Sequence, residues 1–160
     1  MAATNFRLYV SYSQLAIFAS SLEKPFNDWT ERHLAQGFAW RPGSVSFRTL
    51  VESGAHSIDV ATTKQLGAVS VNAIRAIDVP FEVPPDGAIE VASISDSVPI
   101  TLIPGCYSAR CEFLGVGPEG HEQVRITFAK DEKPHFAIAR VDSQLSADKE
   151  LLTTAEPAIS

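Results

Sequence analysis

The chain has 160 residues, 45% of them hydrophobic and 20% charged, a balance that suits one packed domain and excludes intrinsic disorder. The 13 Lys and Arg against 19 Asp and Glu leave a formal charge of -6, which opposes direct attraction to nucleic-acid phosphates or anionic lipid. Apolar runs such as Phe136 to Val141 fall far short of the ~20 residues of a membrane helix, and the first residues lack the basic and apolar blocks of an export signal, so the expectation is a cytoplasmic protein without membrane insertion.

From Phe6 the segment FRLYVSYSQLAIFAS is rich in β-branched and aromatic residues and partly alternates. It predicts two opening strands around a turn at Ser11 to Gln14, with Leu8, Val10 and Tyr12 on one face. After the break at SSLEKPFND, the stretch WTERHLAQG reads as one helix of about two turns, capped by Asp28 and ended by Gly37. Trp29, Arg32, His33 and Gln36 share one helical surface, with Leu34 and Phe38 available to pack inward. Beyond the turn Trp40 to Ser44, the string VSFRTLVESGAHSIDVATT predicts two strands around Ser53-Gly54. Ile77, Val79, Phe81 and Val83 alternate up to the turn Pro84-Pro85-Asp86-Gly87, and Pro80 places this strand at a sheet edge because proline cannot donate to a ladder.

Pro104-Gly105 marks another turn before a strand from about Cys106 to Leu114. The loop GPEGHE leads to VRITFA, and DEKPH leads to FAIARVD, a pair with antiparallel hairpin spacing. The expected fold is mainly β: an antiparallel β-sandwich of about eight or nine strands with one short helix. Residues 1–142 form this single domain. Residues 143–160 lack strand periodicity and read as a tail, either frayed or forming a short helix near Ala147 to Leu152.

No catalytic pattern is visible. His33, His56, His121 and His135 occur singly, no serine lies in a nucleophile-elbow motif, and no metal-ligand spacing is present, so no catalytic residue, metal or cofactor is expected. Cys106 and Cys111 lie on opposite faces of one extended strand, roughly 16 Å apart, beyond disulfide reach, and read as independent thiols with Cys111 buried. The loop Gly115 to Gly120 lacks the ending of a phosphate loop and contains a proline, which removes an amide donor. Phe26, Trp29, Phe38 and Trp40 fall close together, either to seat the helix or to form an exposed patch. The remaining readings are a non-catalytic sandwich that binds another protein or a small ligand, and a hydrolase assembled in space from His121, His135 and neighbouring Asp and Ser residues.

An ordered string of residues resembles the competence protein J (ComJ) family. It comprises S-Y-x-Q at Ser11, Tyr12 and Gln14, then Phe18, Pro25, D-W-T at Asp28 to Thr30, and Gly37. It continues with Ser46-Phe47, V-P-F-x-V from Val79 to Val83, Gly87, PGCY at Pro104 to Tyr107, and Cys111. The resemblance covers about three quarters of the chain; Gly115 to Pro134 departs from the pattern and the tail after Asp142 has no counterpart. It implies a bacterial, non-enzymatic inhibitor of a DNA-entry nuclease, linked to competence and DNA uptake, which acts stoichiometrically as an immunity-type protein. The partner is then a nuclease, with no direct contact to nucleic acid. The family supplies no contact residues. On physical grounds the expected contact set is Asp28, Trp29, Glu31, Arg32 and Trp40, because a desolvated aromatic centre supplies affinity and neighbouring carboxylates complement a DNA-binding cleft.

Overall fold

The computed structural model describes residues 3–146 and 150–158. Eleven strands and one helix follow in chain order: β1 (Ala3–Val10), β2 (Gln14–Ala19), α1 (Glu31–Gln36), β3 (Phe38–Arg41), β4 (Ser44–Arg48) and β5 (Gly54–Thr63). Then come β6 (Arg75–Val83), β7 (Ala88–Ala92), β8 (Ser97–Thr101), β9 (Gly105–Val116), β10 (Glu122–Lys130) and β11 (Ala137–Arg140). They make a six-stranded sheet in the order β1-β5-β10-β9-β6-β11 and a five-stranded sheet in the order β3-β4-β2-β7-β8. The strand count exceeds the expected eight or nine, in part because β3 follows α1 after a single glycine and its four residues merge with the turn at Pro42-Gly43.

Alternation builds the core. Leu8, Ile58, Ile77, Val79, Phe81, Cys111, Phe113, Ile126 and Phe128 of the larger sheet meet Leu15, Ile17, Phe38, Val45, Phe47, Ile89 and Val91 of the smaller one in a single cluster. Each large apolar side chain removed from water here contributes about 1.5–3 kcal/mol. Cys106 and Cys111 are both free thiols on β9, and burial pushes the Cys111 thiol well above its ordinary value. Among the described residues no helix is long and apolar enough to cross a membrane.

Consecutive strands repeatedly change sheet. Tyr12 and Ser13 carry φ angles of 56° and 57°, the paired left-handed conformation of a type I′ turn. This turn passes the chain from β1 in one sheet to β2 in the other, and the Ser13 amide donates to the Glu52 carbonyl at 2.8 Å. Leu8 and Val10 are buried together as expected, whereas Tyr12 sits on the turn with 73% of its surface exposed. Gly87 allows the return from β6 to β7. Its φ is 71°, and a Cβ there would lie 2.5 Å from the Leu102 carbonyl oxygen.

Three expectations are corrected. β10 and β11 do not form a hairpin: β10 lies between β5 and β9, and β11 crosses to pair with β6. The β5–β10 pair is parallel, so the larger sheet is mixed; the four strands between them in sequence supply the long connection that parallel pairing requires. β6 is not outermost either, but β11 pairs with it only from Ala76 to Asp78. Pro80 lies beyond that pairing, and its carbonyl accepts the Trp40 indole N–H at 2.7 Å. The proline is therefore tolerated on a locally open edge.

One buried cation joins these parts. Arg75, fully buried at the start of β6, donates from Nε to Asp142 Oδ1 at 3.1 Å and from Nη2 to Asp142 Oδ2 at 2.9 Å and Gln144 Oε1 at 2.6 Å. Its Nη1 donates to the Arg48 carbonyl at the end of β4, and its guanidinium lies 5.6 Å from the centre of the Phe113 ring. Asp142→Ala leaves that cation without its counter-charge, and urea denaturation should register a loss of about 3–5 kcal/mol; the double variant Arg75→Met with Asp142→Leu should recover most of it.

His56 is buried on β5. Its Nδ1–H donates to the Gly54 carbonyl at 3.0 Å, and its Nε2 has no partner. Burial lowers its pKa below the ordinary value, outweighing the opposing influences of the Gly54 carbonyl and Glu122. The unfolded chain thus binds this proton more readily than the folded one. Stability should fall as pH drops below about 6.5 and level off beneath the lowered folded value. In thermal melts between about pH 7 and pH 5, His56→Gln should show a smaller loss than the parent chain.

Candidate partner-binding site

The helix begins two residues later than expected. Thr30 is the N-cap, in extended conformation: its Oγ1 accepts the His33 amide, and its own amide donates to His33 Nδ1 at 3.0 Å. This is a capping box with histidine in the place usually held by Glu or Gln. Asp28 does not cap; it lies before the helix start, where its amide donates to the Glu156 carbonyl at 2.8 Å and joins the chain there to the C-terminal segment. Gly37 ends the helix with φ 88°, as expected.

The inward face also differs. His33 and Gln36 are buried, while Leu34 keeps 45% of its surface exposed. The reason lies beyond residue 143. The described part of that segment packs along α1 and presents backbone groups, which polar side chains satisfy and a leucine would leave unpaired. His33 Nε2 donates to the Thr154 carbonyl at 2.9 Å. Gln36 donates to the Leu152 carbonyl and accepts the Leu152 amide, both at 2.8 Å. Asn27 and Pro157 form a bridge, and the Ala158 amide donates to the Phe26 carbonyl. Of the short helix considered near Ala147 to Leu152, residues 147–149 lie outside the described residues, and 150–152 are not helical.

The five expected contact residues divide into two groups. Asp28, Glu31 and Arg32 are exposed around the start of α1, with Trp29 half-buried among them. Arg32 Nη2 donates to the Glu150 carbonyl at 2.6 Å. Trp29 stands edge-on to the His33 ring, with centroids 6.2 Å apart, and its indole N–H is enclosed without an acceptor. Trp40 stands elsewhere: besides its bond to Pro80, it meets Phe136 edge-on at 5.0 Å, so it joins β3 to the β6 and β11 side of the larger sheet. Phe38 stacks on Phe136 and Phe26 meets Phe18, so among the four aromatics Trp29 alone belongs to the surface at the helix start.

Nothing brings the histidines together for chemistry. His121 precedes β10 and His135 follows it, so they lie near opposite ends of a nine-residue strand, on the order of 30 Å apart. Among the described residues no group of three or more His, Cys, Asp or Glu could hold a metal ion. Gly117 to Gly120 forms the β9–β10 hairpin loop, with the Gly117 amide donating to the His121 carbonyl.

Two features have no local sequence signal. A cavity of about 200 Å³ lies between the helix start and the C-terminal segment, lined by Asp28, Thr30, His33, Thr154 and Glu156. A more open one of about 620 Å³ is lined by Glu23, Glu90 and Asp96 over an apolar floor that includes Phe18 and Phe26. The three carboxylates come from a loop, a strand and a turn, so only the fold assembles them. Gln36→Leu removes both bonds to Leu152. Amide hydrogen exchange should accelerate between residues 150 and 158, with a stability loss of about 1–3 kcal/mol.

The competence protein J (ComJ) family model matches residues 7–130. The fold aligns with the crystal structure of ComJ, inhibitor of the DNA degrading activity of NucA, from Bacillus subtilis. The TM-score is 0.64 at 20% identity, covering 80% of this chain and 96% of that one. It also aligns with the protein of crocagin biosynthetic gene J, with a TM-score of 0.58 at 17% identity, over 82% of this chain and 100% of that one. No curated protein sequence matches significantly. The matched span runs through Lys130, across part of the stretch whose residues depart from the family string, and takes in α1 and every strand from β2 to β10. On that extent of match, the chain belongs to the competence protein J (ComJ) family.

Proposed function

We propose that this protein is a stoichiometric inhibitor of a DNA-degrading nuclease, a binding protein rather than a catalyst. The observation that carries the reading is the family match over residues 7–130, joined to a fold shared with a nuclease inhibitor. Its place of action is the bacterial cytoplasm, where an uninhibited nuclease would reach the cell's own DNA. A net charge of -6 supports the same reading, because a nuclease that grips DNA presents a basic cleft to which an acidic protein is steered.

The contact surface we propose centres on Trp29, flanked by the exposed carboxylates of Asp28 and Glu31 and by Arg32. A half-buried indole among charges has the composition of an interface anchor: large area, little side-chain entropy to lose, and a polar rim that excludes water. Trp40 contributes by holding β3, which follows α1 directly, against Pro80 and Phe136. Inhibition then consists of covering or distorting the nuclease active site.

The test is titration of the purified chain into a DNA-degradation assay with the non-specific nuclease encoded nearest to it. Inhibition should saturate near one-to-one and weaken as salt is raised. Trp29→Ala should fold normally and inhibit about 30-fold less well, a loss of about 2 kcal/mol. An active nuclease left untouched by the folded chain would overturn the function, and a fully potent Trp29→Ala would overturn the surface.

A further inference from the structure

We infer that the chain carries a second site, separate from the α1 surface and independent of the nuclease reading, that binds a small amphipathic carboxylate. It lies where the parallel strands β5 and β10 both terminate, beside the connection from β8 to β9. A cavity of about 560 Å³ opens there, within the ~300–1,000 Å³ typical of small-ligand sites. Leu102, Ile103 and Tyr107 give it apolar walls, and the lysines Lys64 and Lys130 are the charged residues lining it. Among the described residues no carboxylate lines this cavity, in a chain whose formal charge is -6.

Ile103 holds 72% of its surface exposed at this opening. The Tyr107 hydroxyl donates to the Ile103 carbonyl at 2.5 Å, which ties this loop to the start of β9. Lys130 is likewise placed in advance. Its Nζ donates to the Pro104 carbonyl at 2.8 Å and lies 5.3 Å from the centre of the Tyr107 ring, which leaves ammonium protons to spare. Gly105 makes room for it: a Cβ at that position would lie 2.6 Å from Lys130 Nζ. Lys64, directly after β5, is exposed and without a hydrogen-bond or ion-pair partner among the described residues.

Polarity sets the ligand's direction. On the other side of the same two lysines lies a second cavity of about 410 Å³, lined by Ser108 and Asp131. The Asp131 carboxylate accepts the Lys133 amide and the Ser108 hydroxyl, both at 2.9 Å, and puts a negative charge on that side. An alkyl or aryl body therefore occupies the apolar cavity, and its carboxylate lies between Lys64 and Lys130. A charge-assisted hydrogen bond to each ammonium gives affinity, and burial of the chain against Leu102 and Ile103 gives selectivity for an apolar body.

The probe is decanoate, titrated into the whole chain by calorimetry below its micelle-forming concentration, with acetate and decanol as controls. Decanoate should saturate at about one per chain, with acetate and decanol each at least about tenfold weaker. Lys64→Ala should weaken decanoate about tenfold and leave decanol unchanged, and Ile103→Ser should weaken both. Because Lys64 and Ile103 are exposed, both variants should keep the parent's circular dichroism. The site is overturned if decanoate does not saturate, if acetate binds as well, or if neither substitution alters decanoate binding.

Discussion

The guanidinium of Arg75 is taken wholly out of water, and the surrounding structure is arranged to meet its donors. Asp142 supplies the counter-charge, Gln144 a side-chain oxygen and Arg48 a carbonyl, so the start of β6, the end of β4 and the chain after β11 converge on one group. A buried cation stripped of its partner costs several kcal/mol, which makes this convergence a condition of folding rather than an addition to it. Arg48 extends the junction, since its own Nη1 reaches the carbonyls of Leu34 on α1 and Gln144. The two sheets, the helix and the C-terminal segment thus share one electrostatic anchor beside the apolar core.

From that anchor the chain beyond residue 143 is directed along α1, and this explains the helix's unusual face. A six-residue helix lies below the length at which helices are stable alone. Its stability comes instead from a histidine capping box and from His33 and Gln36 bonding the backbone of residues 152 and 154. With the inner face committed to polar pairing, the charged residues at the helix start are left to solvent. The region proposed to meet a nuclease is therefore held by contacts that lie partly outside the matched family span of residues 7–130.

Much of the fold was legible in local pattern. The turn at Ser11 to Gln14, Gly37 after the helix, and the strands β5, β6, β9 and β10 follow from alternation and from residues suited to positive φ. The family string was legible for the same reason. Its S-Y-x-Q builds the turn between sheets, its V-P-F-x-V is the end of β6, Gly87 sits where the Leu102 carbonyl excludes a side chain, and Gly105 of PGCY leaves space for Lys130. These are constraints of architecture; the D-W-T of the same string differs, since Thr30 caps α1 while Asp28 and Trp29 lie on the proposed contact surface. Cap choice was misread because Asp28 and Thr30 are both competent N-caps, and the reciprocal bonds between Thr30 and His33 place the cap at Thr30.

The sequence by itself determined the class of the fold: a β-rich chain with a short helix, two cysteines on one strand that cannot meet, and an acidic charge. Each of these depends on composition or on residues a few positions apart, where period and propensity act. The tertiary structure alone decided which strands share a sheet, that β5 and β10 run parallel, and that β11 pairs with β6 rather than β10. It also decided the inward face of α1, the union of Glu23 with Glu90 and Asp96 in one cavity, and the placing of Lys64 and Lys130 on the lining of another. These arrangements join residues tens of positions apart. No local pattern encodes them, because they depend on which distant surfaces can satisfy the same buried charge and the same unpaired backbone groups.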